Sequence, residues 1–301
     1  MNSGKIIYDW KRYWVPYGSH EESYFEYSSL YNNEKPTLAD LRDKKCLILL
    51  GDAALGKSTT LKQEYENLQS ANIGAFFIDL KCISDYTSLK DKFISLKQYC
   101  NNKSKVYLFM DSFDEGQLVF DNIVNSLVDN LKYLDLSKIY IRIACRTVVF
   151  PQYLCDELKQ LSYREQENFQ FNNAKDIFKQ QFKIINNSKE KNIPVEIYKL
   201  LPLNKDDINK VLEHKNINKD DFYNNTLLSE ELKTPITALY IIDNYENLDS
   251  MSQFEIYNNI CLKLCNEYNG QSNKQILNTS ERMKIAATLF TIMLFSNKYK
   301  I

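Results

Sequence analysis

With 301 residues, 44% of them hydrophobic, the chain is long enough for one large or two modest domains with real cores, which excludes a disordered polypeptide. Its 38 basic and 39 acidic residues leave a net charge of −1, which argues against nucleic acid or an anionic membrane as a partner. No apolar run reaches the length of a membrane span, and Met1-Asn2-Ser3-Gly4-Lys5 opens no signal-peptide core, so a cytoplasmic protein is expected.

Residues 1–37 form an aromatic lead-in segment containing Trp10, Tyr13, Trp14, Tyr17, Tyr24, Phe25, Tyr27 and Tyr31. Trp10-Lys11-Arg12-Tyr13-Trp14 has the composition of a base-stacking strip. Glu21, Glu22 and Glu26 break up any positive charge, however, and favour packing of an irregular segment onto the main domain. From residue 38 the pattern alternates. Apolar runs at 46–50, 74–80, 105–110 and 138–144 read as buried strands, and helical periodicity fills 58–70, 85–99 and 117–133. Such βαβ alternation predicts an α/β fold with a parallel sheet covered on both faces. A helical, polar insertion is expected at about 150–190, after which Val195 to Leu201 closes a sheet of about five strands.

Beyond Pro202 the pattern is helical, and Asn-Lys-Asp-Asp at 204–207 and again at 218–221 marks helix starts. Asn caps the helix and the acids sit in its first turn, which explains both repeats better than metal binding does. The expected organisation is a lead-in at 1–37, an α/β core at 38–201, and a helical domain with the start of a following one at 202–301. Seven scattered cysteines, an odd number, fit reduced core thiols. Cys261 and Cys265 have half of a zinc-site spacing, but only His20 and His214 exist to complete it, so two buried thiols on one helical turn are expected and no structural metal.

The strand at 46–50 runs into Gly51-Asp52-Ala53-Ala54-Leu55-Gly56-Lys57-Ser58, a G-x-x-x-x-G-K-S loop. A triphosphate needs inward-facing backbone N–H groups, glycines that permit the tight path, an ammonium on the β/γ-phosphates and a hydroxyl on Mg²⁺. Gly51, Gly56, Lys57 and Ser58 supply these parts, and Thr59 continues the helix N-terminus that faces the phosphates.

The strand at 105–110 delivers Asp111 to a sheet edge, with Asp114 and Glu115 following. Asp111 suits Mg²⁺ held through water, and Asp114 or Glu115 suits orientation or deprotonation of the attacking water. The strand at 138–144 is followed by Cys145 and Arg146, an arginine placed either to report a γ-phosphate or to pair with Asp111 or Asp114.

This ordered set, with Thr234-Pro235 in the helical region, resembles the STAND class of signalling NTPases over roughly residues 38–265, and the NACHT clade most closely. The second acid separates it from small-molecule kinases and G-proteins. The lead-in tryptophans resemble those of bacterial antiviral NACHT-like proteins. The resemblance implies a P-loop NTPase core of ASCE/AAA+ type that binds ATP or ADP with Mg²⁺ and hydrolyses ATP slowly, with Lys57, Asp114, Glu115 and Arg146 in catalysis. It further implies that residues 200–203 begin the helical domain and that Pro235 lies against the base. It also implies an innate or antiphage defence switch in which ADP holds the closed form and ATP-bound protomers form a homo-oligomer that answers a protein trigger and acts on an effector. Proteins of this class continue into a winged-helix domain and a sensor array, so a chain ending at Ile301 is expected to be a truncated piece, the alternative being a reduced protein that relies on partners. The alternatives are a DNA-handling ATPase of AAA+ type and an adaptor that holds nucleotide as a structural ligand with negligible turnover.

Overall fold

A computed structural model describes residues 10–19, 35–164, 190–224, 231–248, 251–267 and 277–296. The chain divides into two compact units, Met1–Pro202 and Leu203–Ile301.

In the first unit, strands β1 (Trp14–Pro16), β2 (Cys46–Leu50), β3 (Gly74–Asp79), β4 (Val106–Asp111), β5 (Ile139–Cys145) and β8 (Val195–Leu200) form one sheet in the order β1-β8-β2-β5-β4-β3. All neighbours run parallel except β1, which pairs antiparallel with β8. Six strands therefore replace the expected five or so. The sixth comes from the lead-in, whose three paired residues are too few to display a period-2 alternation. It is anchored by Trp14 and Val15, both fully buried, and by the Trp14 N–H donating to the Pro36 carbonyl at 2.9 Å.

The strands alternate between two cores. Cys46, Ile48 and Leu50 of β2 face one side with Val106, Leu108 and Met110 of β4, where helices α2 (Tyr86–Cys100), α4 (Ile123–Lys132) and α5 (Gln152–Gln160) cover them. Leu47, Leu49, Tyr107 and Phe109 face the other side, under α1 (Lys57–Ser70) and the segment containing Leu38 and Leu41. Because both faces are covered, the strands read as continuous apolar runs.

Three sequence expectations shift. The helix expected at 117–133 is two helices, α3 (Phe113–Val119) and α4, so Asp114 and Glu115 lie within a helical turn. Strand β3 stops at Asp79, and Leu80–Cys82 forms a 3-10 turn. After α5 the insertion contributes β6 (Ser162–Arg164) paired antiparallel with β7 (Glu190–Asn192), where helix was expected; positions 165–189 lie outside the described residues.

Midway along β5, Arg142 stands almost fully buried, donating to the carbonyls of Ile141, Leu41 and Arg42 and lying 5.5 Å from the Tyr107 ring centre. Burial pulls its guanidinium down to about 10. Lys45 is also buried, donates to the Ser137 carbonyl at 2.8 Å and stands 4.3 Å from the Tyr140 ring centre. Burial, with Lys105 and Arg142 nearby, pulls its ammonium down to about 8, while the charge of Asp135 opposes this. Between about pH 8 and 10.5 the unfolded chain therefore binds a proton that the folded chain does not, so the Lys45 contribution to stability rises with pH across that window. Denaturant unfolding of wild type and Lys45→Met should show the wild type gaining on the variant as pH climbs through that range; a constant difference would refute the assignment.

The second unit is helical among its described residues: α6 (Lys205–His214), α7 (Lys219–Asn224), α8 (Pro235–Asp243), α9 (Tyr245–Leu248), α10 (Gln253–Glu267) and α11 (Thr279–Ser296). Asn204 caps α6 in a reciprocal box with Asp207, and the Asn218 side chain accepts from the N–H groups of Asp220 and Asp221, so both Asn-Lys-Asp-Asp repeats open helices. All seven cysteines are free. Cys261 and Cys265 do share α10, but Cys261 is exposed and Cys265 half-buried, because α10 turns that face away from its buried Ile256 and Ile260. No helix among the described residues is long and apolar enough to cross a membrane.

Candidate nucleotide-binding site

The loop Gly51 to Ser58 leaves the C-terminal end of β2, the strand flanked by β8 and β5, where an open parallel sheet offers a crevice to a ligand. Gly56 takes φ 89°, a left-handed conformation that favours glycine, and leads directly into α1. Ala54, with φ 62°, adopts the same region despite its side chain, at a cost of about 1–2 kcal/mol. Leu55 drops its side chain into the core beside Leu61, Trp14 and Leu200, which holds the unusual apolar interior of the loop in place.

Lys57 folds back over the loop, its ammonium donating to the carbonyls of Gly51 at 2.5 Å and Asp52 at 2.9 Å. Burial lowers its pKa and Arg146 adds to the fall, while the charges of Asp114, Asp111 and Asp52 work the other way. A desolvated ammonium held by two carbonyls is ready to exchange them for phosphate oxygens.

Asp111 ends β4, only 3% exposed, with the Ser58 hydroxyl and the Ser112 N–H close to its carboxylate. Burial raises its pKa, these two polar neighbours oppose that, and the charge of Asp79 adds to the rise. For Mg²⁺ the donor set fits. Ser58 and Asp111 bring two hard oxygens near each other, the donor type that Mg²⁺ takes beside waters and phosphate oxygens.

Ser112, at φ 58° and ψ 41°, turns the chain sharply after β4 and starts α3, which sets Asp114 and Glu115 back toward the loop. There they meet Arg146, just past the end of β5. Arg146 Nε lies 2.8 Å from Asp114 Oδ2, its Nη2 lies 3.3 Å from Glu115 Oε1, and its backbone N–H donates to Asp114 Oδ1 at 3.3 Å. Of the two roles open to Arg146 in the sequence, the pairing role is the one seen, directed at Asp114 and Glu115. Cys145, behind this group, is pushed up to about 12 by burial, so its thiol stays protonated.

The structure thus gathers Lys57, Ser58, Asp111, Asp114, Glu115 and Arg146 in one crevice, while Thr59 continues α1 beside them. Pro235 lies in the other unit, as the first residue of α8 after Thr234. Two further residues near the site belong to none of the sequence motifs. Asp79 is paired in register with Asp111, its Oδ1 buried without a hydrogen-bond partner and its Oδ2 3.3 Å from Lys81 Nζ. An acid at a strand end marks it, but the apolar pattern runs on to Leu80 and masks that end. Arg12 is the second, and nothing local marks it.

Strand order, loop geometry and the acid-ended β4 beside the loop are those of a P-loop NTPase core with an attached helical part. No protein-family model matches the chain, and no curated protein matches it in sequence. Among solved structures it is similar to the Walker-type ATPase PABY2304 of Pyrococcus abyssi, at 10% identity and a TM-score of 0.44, over 77% of this chain and 70% of that one. It is also similar to Cdc6p from Pyrobaculum aerophilum, at 14% identity and a TM-score of 0.30, over 57% of this chain and 44% of that one.

Proposed function

We propose that the chain is the ATP-binding and hydrolysing part of a switch protein of STAND type with a NACHT-like core, turning over slowly and acting in defence signalling. The observation that carries this reading is the pairing of Arg146 with both Asp114 and Glu115 beside the phosphate loop. In that arrangement the acids suited to activate water are held by the same guanidinium that a γ-phosphate would attract. ATP, with its third phosphate, competes for Arg146 and releases the acids; ADP lacks that phosphate and leaves the pair closed. Bound Mg²⁺, held by Ser58 and Asp111, would neutralise phosphate charge. Lys57 would hold the β/γ-phosphates, and the N–H groups of Asp52, Ala53, Ala54, Leu55, Gly56 and Thr59 would line the anion path. Pro235 would bear on the base, and nucleotide state would govern assembly with further copies and with a protein trigger and effector.

The test is titration of the purified chain with fluorescent ATP and ADP in Mg²⁺, alongside phosphate release. Arg146→Ala should narrow the preference between the two nucleotides by about tenfold. An unchanged preference would refute the sensing role, and a chain that binds neither nucleotide would refute the function.

A further inference from the structure

Arg12 belongs to the lead-in segment, far in sequence from every motif of the site, yet its side chain is buried against two of the site's supports. One terminal nitrogen, Nη2, donates to the Leu55 carbonyl in the phosphate loop at 3.1 Å and to the Leu201 carbonyl at 2.6 Å. The residue as a whole is only 8% exposed, so a guanidinium has been taken out of water to make these bonds.

The same two segments meet independently of Arg12. A Cβ placed on Gly51 would stand 3.3 Å from the Leu200 Cβ and 3.2 Å from the Lys57 Cδ, so the first residue of the loop packs closely on the end of β8. Leu55, Leu200 and Trp14 share one core cluster. The Leu201 N–H donates to the Tyr13 carbonyl at 3.0 Å, so Leu201 is gripped from the lead-in through both its N–H and its carbonyl. Pro202 follows and ends the first unit.

We infer that Arg12 is a positioning residue: a strut that holds the phosphate loop at Leu55 and transmits its occupancy to Leu201, the point where the chain leaves the nucleotide core for the helical unit. This rests on the reading of the loop as a nucleotide site. Phosphate binding draws the loop's N–H groups inward, and the Leu55 carbonyl belongs to the peptide whose N–H is that of Gly56. Any rotation of that peptide changes the bond to Arg12, and the same nitrogen then pulls on or releases Leu201. The bridging nitrogen is the far end of the arginine side chain, in a plane fixed by the guanidinium. A lysine ends about one bond short of that position, so its ammonium would not reach both carbonyls from the lead-in.

Hydrogen–deuterium exchange of the whole chain with and without Mg-ADP tests this by following the amides of 52–58 and of 200–203. In the wild type, ADP should slow exchange in both segments. Arg12→Lys should bind ADP about tenfold more weakly and, at saturating ADP, keep the protection of 52–58 while losing the response at 200–203. Trp14→Phe, which trims the packing beside the strut and leaves the guanidinium, should retain both responses, separating coupling from general loosening of the lead-in. Protection at 52–58 with no response at 200–203 in the wild type would overturn the strut, as would a wild-type response at 200–203 in Arg12→Lys. No protection at 52–58 in the wild type would overturn the nucleotide reading and the strut with it. The wild-type arm alone can overturn the proposal, so it is decided whatever the folding of the variants.

Discussion

Lys57→Ala should weaken Mg-ATP binding by roughly 100-fold or more, from the loss of charge-assisted bonds worth about 1.5–3 kcal/mol each. The ammonium is the one cationic side chain that the phosphate loop folds over itself, and it bonds only its own loop carbonyls, those of Gly51 and Asp52. Removing it leaves a cradle of backbone N–H groups with no charge to meet the β/γ-phosphates. The fold should survive, since the side chain makes no long-range hydrogen bond and its removal relieves the desolvation that lowers its pKa. Equilibrium titration with a fluorescent ATP analogue, with thermal melting of the ligand-free variant as control, reads both quantities. Wild-type affinity in a folded Lys57→Ala would remove the phosphate-loop assignment.

The second large effect is expected at Glu115. Glu115→Gln should cut single-turnover phosphate release by about 100-fold or more, the usual scale for losing a general base, while ATP still binds. The geometry distinguishes the two acids of α3. Asp114 is gripped by Arg146 through both Nε and the backbone N–H, and its side chain is 11% exposed. Glu115 meets Arg146 at the longer distance of 3.3 Å with a side chain 27% exposed, so it is the acid more easily released to a water. Asp114 is then the anchor that sets Arg146, and Asp114→Asn should alter ATP-over-ADP preference before it alters the chemical step. Equal, protein-dependent turnover in wild type, Lys57→Ala and Glu115→Gln would exclude this site as the source of hydrolysis.

Much of the core was legible because its determinants are local. Two-sided burial makes β2, β4 and β5 continuous apolar runs, and the glycines, lysine and serine of the loop are specified by spacing alone. The acids at the end of β4 and after it could be placed at a sheet edge because the unbroken buried run Val106 to Met110 leads to them. The partner of Arg146 was not legible, since both the γ-phosphate and the acids are compatible with a strand-end arginine. The buried Arg142 was equally hidden. The stabilisation of its buried charge depends on the carbonyls of Leu41 and Arg42 and on the Tyr107 face, all distant in sequence.

What the amino-acid sequence determined by itself was therefore the set of elements and their chemistry: an alternating α/β core, a phosphate loop with Lys57 and Ser58, and three acids after a buried strand. Periodicity, capping and loop spacing act over a few residues, so they can be read without the fold. The tertiary structure alone decided which distant groups meet. Register set Asp79 beside Asp111, the turn at Ser112 carried Asp114 and Glu115 to Arg146, and pairing of β1 with β8 brought Arg12 between Leu55 and Leu201. Those contacts arise from packing two faces of one sheet, where burying apolar surface selects the neighbours and polar groups must then find partners among whatever chain is close.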